Sequence, residues 1–459
     1  MYLRFLFIIA FLGAFSVAFS DGLPEGHFTP INSLTDSVQQ QTTSQISSIK
    51  DSASFVQSSS AIAQYSSAIA QSSSSIAQSS TTVVDTVINT TPTDTTLAKP
   101  STQAKNSEKN PYGLPNALMP LWESMTLRQK AGQMIMVFLT SPQFVIENEI
   151  GGLLITGKHL REIKETIRKI DEINSNLKIQ VFTATDQEGG AVNRLSSYSD
   201  DWRNIPSAHD MRRMDSTKIR ALAQKIGSTL KKIKINMNLA PVLDPSKDHR
   251  NTNSFMEEHH RSWGPDTANA YKVRAFVKGM HDNGIICVSK HFPGYDSWTN
   301  SDHQISISAS PIEKIQSNIQ FFKTLASDIP VTMMSSVQFL RISNRPAVFD
   351  KNIVKMARQY APNTVMLTDD LWGTSLRAWA SGKTQIPPRK NYPDKDFKRL
   401  ITTVIDAGND MLMISYTSKA KDMLDIMMKL CENNSKYTRR IEESAARILK
   451  LKYRMGLLK

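Results

Sequence analysis

The sequence predicts an α/β chain whose folded part is a (β/α)8 TIM barrel. Three observations predict it: eight short apolar runs recur after Pro111, amphipathic helical patterns separate them, and polar residues crowd the ends of several runs. Alternating strand and helix gives a parallel sheet with helices outside, and eight units are the number that closes such a sheet on itself. An open doubly wound sheet would carry a glycine-rich fingerprint after its first strand, and none is present.

The runs are, in order, Met134–Leu139, Gly152–Thr156, Ile179–Ala184, Ile235–Leu243, Gly284–Ser289, Val331–Met334, Thr364–Thr368 and Met411–Ile414. Between the second and third, Leu160, Ile163, Ile167 and Ile170 fall three or four residues apart, as on one face of a helix. Ile219, Leu222, Ile226 and Leu230 repeat the pattern before the fourth run, and Ala270, Val273, Val277 and Met280 before the fifth. Ile441, Ala445 and Ile448 mark a last helix.

Ahead of this region the texture differs. Residues 1–20 hold Arg4, an apolar stretch from Phe5 to Phe15, and Ala18-Phe19-Ser20, the pattern of a secretory signal peptide whose apolar part is short for a membrane span. Residues 21–110 form an expected linker; from Ser33 onward Ser, Thr, Gln and Ala dominate, with too few large apolar groups to offset chain entropy, so a disordered tether is expected. A seven-residue repeat places Ile62, Ile69 and Ile76 in register, but the second apolar position of a coiled coil falls on Tyr65 and then on serines. The folded domain is therefore expected over 111–459, in a protein that is secreted or held in the periplasm or cell envelope.

Of the net charge of +13, residues 1–110 contribute five Lys/Arg against seven Asp/Glu, leaving the basic excess to the barrel. No basic run interleaved with aromatics points to nucleic acid. Cys287 and Cys431 are too few for a disulfide scaffold or a thiolate metal site, and His249, His259 and His260 with Asp248 lack metal-ligand spacing. No metal or organic cofactor is expected.

The polar residues that follow the runs carry the chemistry. Asp186-Gln187-Glu188-Gly189-Gly190 follows the third run, Arg261 lies in the long loop after the fourth, Lys290-His291 close the fifth and Asp369-Asp370 the seventh, so all converge on the C-terminal mouth of a barrel. Five segments stand in order: Thr185–Gly190 with Arg194, Asn238–Asp244, Arg261-Ser262-Trp263-Gly264, Lys290-His291-Phe292-Pro293-Gly294, and Thr368-Asp369-Asp370-Leu371. With these segments the chain resembles glycoside hydrolase family 3, in its single-domain bacterial β-N-acetylglucosaminidase (beta-hexosaminidase) branch, over essentially all of 113–459.

The resemblance implies that Asp369 is the nucleophile of a retaining hydrolysis, a role for which a carboxylate against the anomeric carbon is suited. It also implies that Asp186, Arg194, Arg261, Lys290 and His291 clamp hydroxyls of the terminal sugar, since ions hydrogen-bonded to hydroxyls orient a polar ligand. Counting along the loop after the fifth run places the acid/base histidine of this branch on His303, an imidazole suited to giving and taking a proton near neutrality. The aspartate that would stand two residues before it is Ser301 here, and Tyr295-Asp296-Ser297-Trp298 replaces a His-Gly-Asp-Thr run. Asp302 lies between, and neighbours in an extended segment point to opposite sides, so it can stand in for the carboxylate only if the loop turns there.

The implied function is an exo-β-N-acetylglucosaminidase acting on wall-derived or chitin-like oligosaccharides. The alternative is a catalytically impaired saccharide-binding protein that keeps the clamp. The expected partner is the oligosaccharide; no nucleic acid, no stable membrane insertion after leader removal and no second subunit are expected. Deletion of residues 33–110 should leave the melting temperature and sugar binding of the remainder unchanged, as thermal melts and calorimetry would show.

Overall fold

The computed structural model describes residues 110–245, 255–264, 266–383 and 391–458. The expected leader and tether, and His249 with Asp248, lie outside the described residues.

All eight predicted runs form strands: β1 Ile135–Phe138, β2 Gly152–Leu154, β3 Phe182–Thr185, β4 Met237–Asn238, β5 Ile286–Phe292, β6 Val331–Met334, β7 Val365–Thr368 and β8 Leu412–Ile414. They make an eight-stranded sheet in the order β7-β6-β5-β4-β3-β2-β1-β8, every pair parallel. A parallel bridge between Leu367 and Met411, with Thr368 N–H donating to Met411 O at 2.9 Å, joins the two ends and closes the ring. The strands are apolar on both faces because one face fills the barrel and the other meets helices. Ile135, Met136 and Val137 of β1 are all fully buried.

The connecting helices are α1 Pro142–Glu147, α2 Ile163–Asn176, α3 Ser216–Lys232, α4 Ala270–His281, α5 Ile312–Leu325, α6 Lys351–Tyr360, the pair α7 Thr374–Ser381 and α8 Asp394–Ala407, and finally α9 Lys419–Asn433 and α10 Ser435–Arg454. Their apolar stripes face the sheet: α3 buries Ile219, Ala223, Ile226 and Leu230. Gly279 on α4 allows α4 to close on α3, because a Cβ there would stand 2.6 Å from Arg220 O. Asp215 starts α3 by accepting from Thr217 N–H at 2.8 Å, and Asp350 starts α6 by accepting from Asn352 N–H at 2.8 Å. Among the described residues no helix is long and apolar enough to cross a membrane.

At the N-terminal end of the strands the barrel is sealed. The buried Lys452 ammonium donates to Gln133 Oε1 and to Gly151 O, both at 2.8 Å, and burial pushes its pKa well below the ordinary lysine range. Above it, the side chains of Met136 and Met411 pack against Gly152, where a Cβ would meet Met136 Cε at 2.9 Å.

The closing seam between β7 and β8 is braced by Asp410. Its buried carboxylate accepts from Arg358 at 2.7 Å, Arg447 at 3.0 Å, Arg440 at 3.2 Å, Ser444 Oγ at 2.8 Å and Met366 N–H at 3.0 Å. Burial alone would raise its pKa, but the three guanidinium groups outweigh that and hold it at about 2. Removing the carboxylate strands buried cations, so Asp410→Ala should cost roughly 3–5 kcal/mol. Asp425→Ala, which removes a surface partner of Arg128, should cost less than about 1 kcal/mol. Urea midpoints of the two variants provide the comparison.

Candidate active site

The end of β3 turns sharply. Gly189 and Gly190 have φ of 91° and 56°, and a Cβ on Gly190 would stand 2.6 Å from Ser207 Cβ. The turn folds Gln187–Gly189 back on Val192–Asn193 and leaves Asp186 and Glu188 at the barrel mouth. Across from them, β5 slips its register against β6 between Ser289 and Phe292, and within that slip stand Lys290 and His291.

Lys290 is 2 % exposed, so its ammonium needs compensation from the protein. It donates to Asp186 Oδ1 at 2.7 Å and to Glu188 Oε1 at 2.6 Å. Glu188 in turn accepts two hydrogen bonds from Arg261, each 2.8 Å, and Arg194 stands 4.0 Å from Asp186 Oδ2. Charges therefore alternate Arg194, Asp186, Lys290, Glu188, Arg261. Burial would raise the Glu188 carboxyl, but Arg261 and Lys290 override it and hold it at about 2. Burial works against the Lys290 charge, and Asp186 and Glu188 outweigh it and raise its pKa.

His291 is oriented by Asp244, which follows β4. The Asp244 carboxylate accepts the His291 backbone N–H at 2.8 Å and Tyr295 N–H at 2.7 Å, and its Oδ2 lies 2.7 Å from His291 Nδ1. A carboxylate only accepts, so Nδ1 carries the proton and Nε2 is the nitrogen available to the cavity.

The two aspartates after β7 do different things. Asp370 accepts Trp372 N–H at 3.0 Å and Ser415 N–H at 2.8 Å, so its carboxylate shapes the turn and ties it to the end of β8. Burial raises its pKa. Asp369 accepts from Ser336 Oγ at 2.9 Å and from Asp370 N–H at 2.9 Å, two donors that orient a carboxylate without enclosing it.

A cavity of about 360 Å³ opens between these strand ends. Six of the sequence-predicted residues line it together: Asp186, Arg194, Arg261, Lys290, His291 and Asp369. The lining from the loop after β5 is Tyr295, Asn300, Ser301 and Asp302. His303 is not part of it; the residue is exposed, with its N–H on Asn300 O at 3.1 Å. The physical reason is a tight turn, since Asn300 O also accepts Gln304 N–H at 2.8 Å, so extended-chain alternation does not govern residues 300–304.

Sequence reading did not single out Glu188, Asp244 or Ser336 as site residues. Glu188 and Asp244 lie inside the quoted motifs and could have been found there, while Ser336 follows β6 without any signal. A larger groove of about 660 Å³ lies on the outer helical face near Arg220, Arg274, Lys278 and His281, away from the strand ends. His259 and His260 are exposed, and His260 stacks on His209 with ring centroids 4.8 Å apart. Among the described residues no group of three or more His, Cys, Asp or Glu could hold a metal ion.

Comparison with known proteins adds a family. The description "Glycosyl hydrolase family 3 N terminal domain" matches residues 126–451. A Beta-hexosaminidase of Pseudomonas aeruginosa is 27% identical over 241 residues, covering 50% of this chain and 68% of that protein. Beta-hexosaminidase LpqI of Mycobacterium tuberculosis is 27% identical over 312 residues, covering 64% of this chain and 76% of its own length. Among solved structures, a Beta-N-acetylhexosaminidase from Beutenbergia cavernae superimposes with a TM-score of 0.61 at 24% identity, over 72% of this chain and 99% of that one. The likeness to the solved structure is one of fold.

The charge ladder has a pH signature. Glu188 stands at about 2 in the folded chain against an ordinary 4.5, so its contribution to stability is complete above about pH 4.5 and is lost as pH falls through 2. Glu188→Gln, which strands two buried cations, should lower stability at neutral pH by roughly 3–5 kcal/mol. It should also flatten the fall in melting temperature between those two pH values, as melts across the acid range would show.

Proposed function

The chain belongs to glycosyl hydrolase family 3, and on that premise we propose that it is a retaining exo-β-N-acetylglucosaminidase that removes terminal β-linked N-acetylglucosamine from wall-derived or chitin-like oligosaccharides. The observation that carries the reading is the shared cavity: the Asp369 carboxylate and the Asp186–Lys290–His291 group line the same space. A sugar whose hydroxyls engage Lys290, Asp186, Arg194, Arg261 and His291 has its anomeric carbon within reach of a carboxylate at the end of β7. Asp369 attacks that carbon, the glycosidic bond breaks, and the aglycone oxygen takes a proton from the loop after β5. Water then releases the sugar from its ester with Asp369. The names of the beta-hexosaminidase relatives support a β-linked hexosamine as the sugar. The leader pattern in residues 1–20 supports secretion or a place in the cell envelope.

A saccharide-binding protein without turnover is the second reading, favoured by Ser301 standing where the branch has an aspartate. Release of nitrophenol from 4-nitrophenyl β-N-acetylglucosaminide by the wild-type protein decides between them. Asp369→Asn should then abolish turnover and keep affinity for N-acetylglucosamine, and a 2-fluoro glycoside should label Asp369. Label on Asp370 would refute the assignment, and binding without any turnover would favour the second reading.

A further inference from the structure

We infer that Asp302, and not His303, is the catalytic acid/base of this chain, its carboxyl giving the proton to the departing glycosidic oxygen and later taking one from water. The inference rests on the retaining reading above and gives it its missing proton carrier.

The geometry comes from how the loop is pinned. Ser301 O accepts Ser375 N–H at 2.9 Å and Asp302 O accepts Thr374 N–H at 3.2 Å, so two successive loop carbonyls cap the first turn of α7. That helix begins just after the turn that follows Asp369 and Asp370. Ser301 N–H donates to Tyr295 Oη at 2.7 Å, and Tyr295 Oη donates to Thr299 O at 2.7 Å, which anchors the other side of the loop. With both carbonyls directed at α7 and the chain turning at Asn300, Ser301 is buried, His303 is exposed, and Asp302 lines the cavity that Asp369 also lines. Asp302 Oδ1 lies 3.6 Å from where a Cβ on Gly373 would stand, beside the turn that holds the aspartate pair.

The electrostatics fit a proton donor. The residue is exposed at the rim and lines the cleft, and desolvation is the largest influence on its carboxyl. The charges of Asp369 and Asp370 add, His291 opposes, Asp186 adds a little, and the group is pushed up to about 7. It therefore retains its proton near neutrality, as a general acid must.

The step balances. The Asp302 proton moves to the glycosidic oxygen as the bond from that oxygen to the anomeric carbon breaks. An Asp369 oxygen forms the new bond to carbon, and the aglycone leaves as an alcohol. In the second half, water gives its proton to the Asp302 carboxylate, its oxygen bonds the anomeric carbon, and Asp369 departs as carboxylate. Ser301, which stands in place of the branch aspartate, lines the same cavity, and the carboxylate stands one residue along, at Asp302.

The test uses wild type, Asp302→Asn, Asp302→Glu and His303→Ala with 4-nitrophenyl and methyl β-N-acetylglucosaminides. Wild-type kcat/KM should fall as pH rises through about 7. Asp302→Asn should lose that limb and drop roughly 10²–10⁴-fold on the methyl glycoside, whose leaving group needs the proton, and far less on the nitrophenyl one. Azide should restore its turnover and yield the β-glycosyl azide. Asp302→Glu should keep the alkaline limb, and calorimetry with N-acetylglucosamine reports that each variant folds. His303→Ala should keep the limb and form no azide product. The assignment falls if His303→Ala shows the azide product and the lost limb while the Asp302 variants do not, or if the two positions behave alike. A wild-type protein inert on both glycosides would instead overturn the hydrolase reading on which the inference stands.

Discussion

The Lys290 ammonium is buried at the mouth of the barrel, and the architecture around it answers one constraint: a buried cation must be matched. Asp186 and Glu188 supply the match from the end of β3, more than a hundred residues away in the chain. Glu188, once buried, needs more than half of Lys290, and Arg261 from the loop after β4 completes it with two hydrogen bonds. Charge neutrality thereby ties to one point three segments that the strand pairing brings near. The ladder leaves one end, Asp186 and Arg194, partly open to the cavity, where a polar ligand can finish the pattern.

The same logic separates the neighbouring aspartates at β7. Asp370 has two backbone donors from the turn and from the end of β8, so moving it would loosen the barrel rim. Asp369 has a hydroxyl and one N–H, and the remaining lone pairs face the cavity. Chemical availability here is what structural duty leaves over.

The barrel was legible because each strand is apolar on both faces, a pattern that survives without knowledge of partners. The site was legible where the strands end, which is why Lys290, Asp186 and Asp369 came together as expected. Extents were less legible: the run 235–243 yields only Met237–Asn238 as strand, and Pro241, which lacks an N–H to donate, stands between it and the isolated bridge of Val242 to Lys290. The path of the loop after β5 was not legible because its shape is set from outside. The N–H groups of Thr374 and Ser375, some seventy residues on, hold the carbonyls of Asp302 and Ser301. Glu188 itself lies inside a legible motif, and only its partners, neighbours in three dimensions, lay beyond the sequence pattern.

The sealed base of the barrel sets a direction of traffic. Below the cavity, whose lining includes Met333 and Met413, come the fully buried Met136, Met366 and Met411, and beneath them Lys452 closes the end. Nothing can thread through such a well, so entry and departure share one opening. Under the proposed exo-hydrolase reading, the severed remainder, nearer the rim, leaves before the sugar unit held deeper in the cavity.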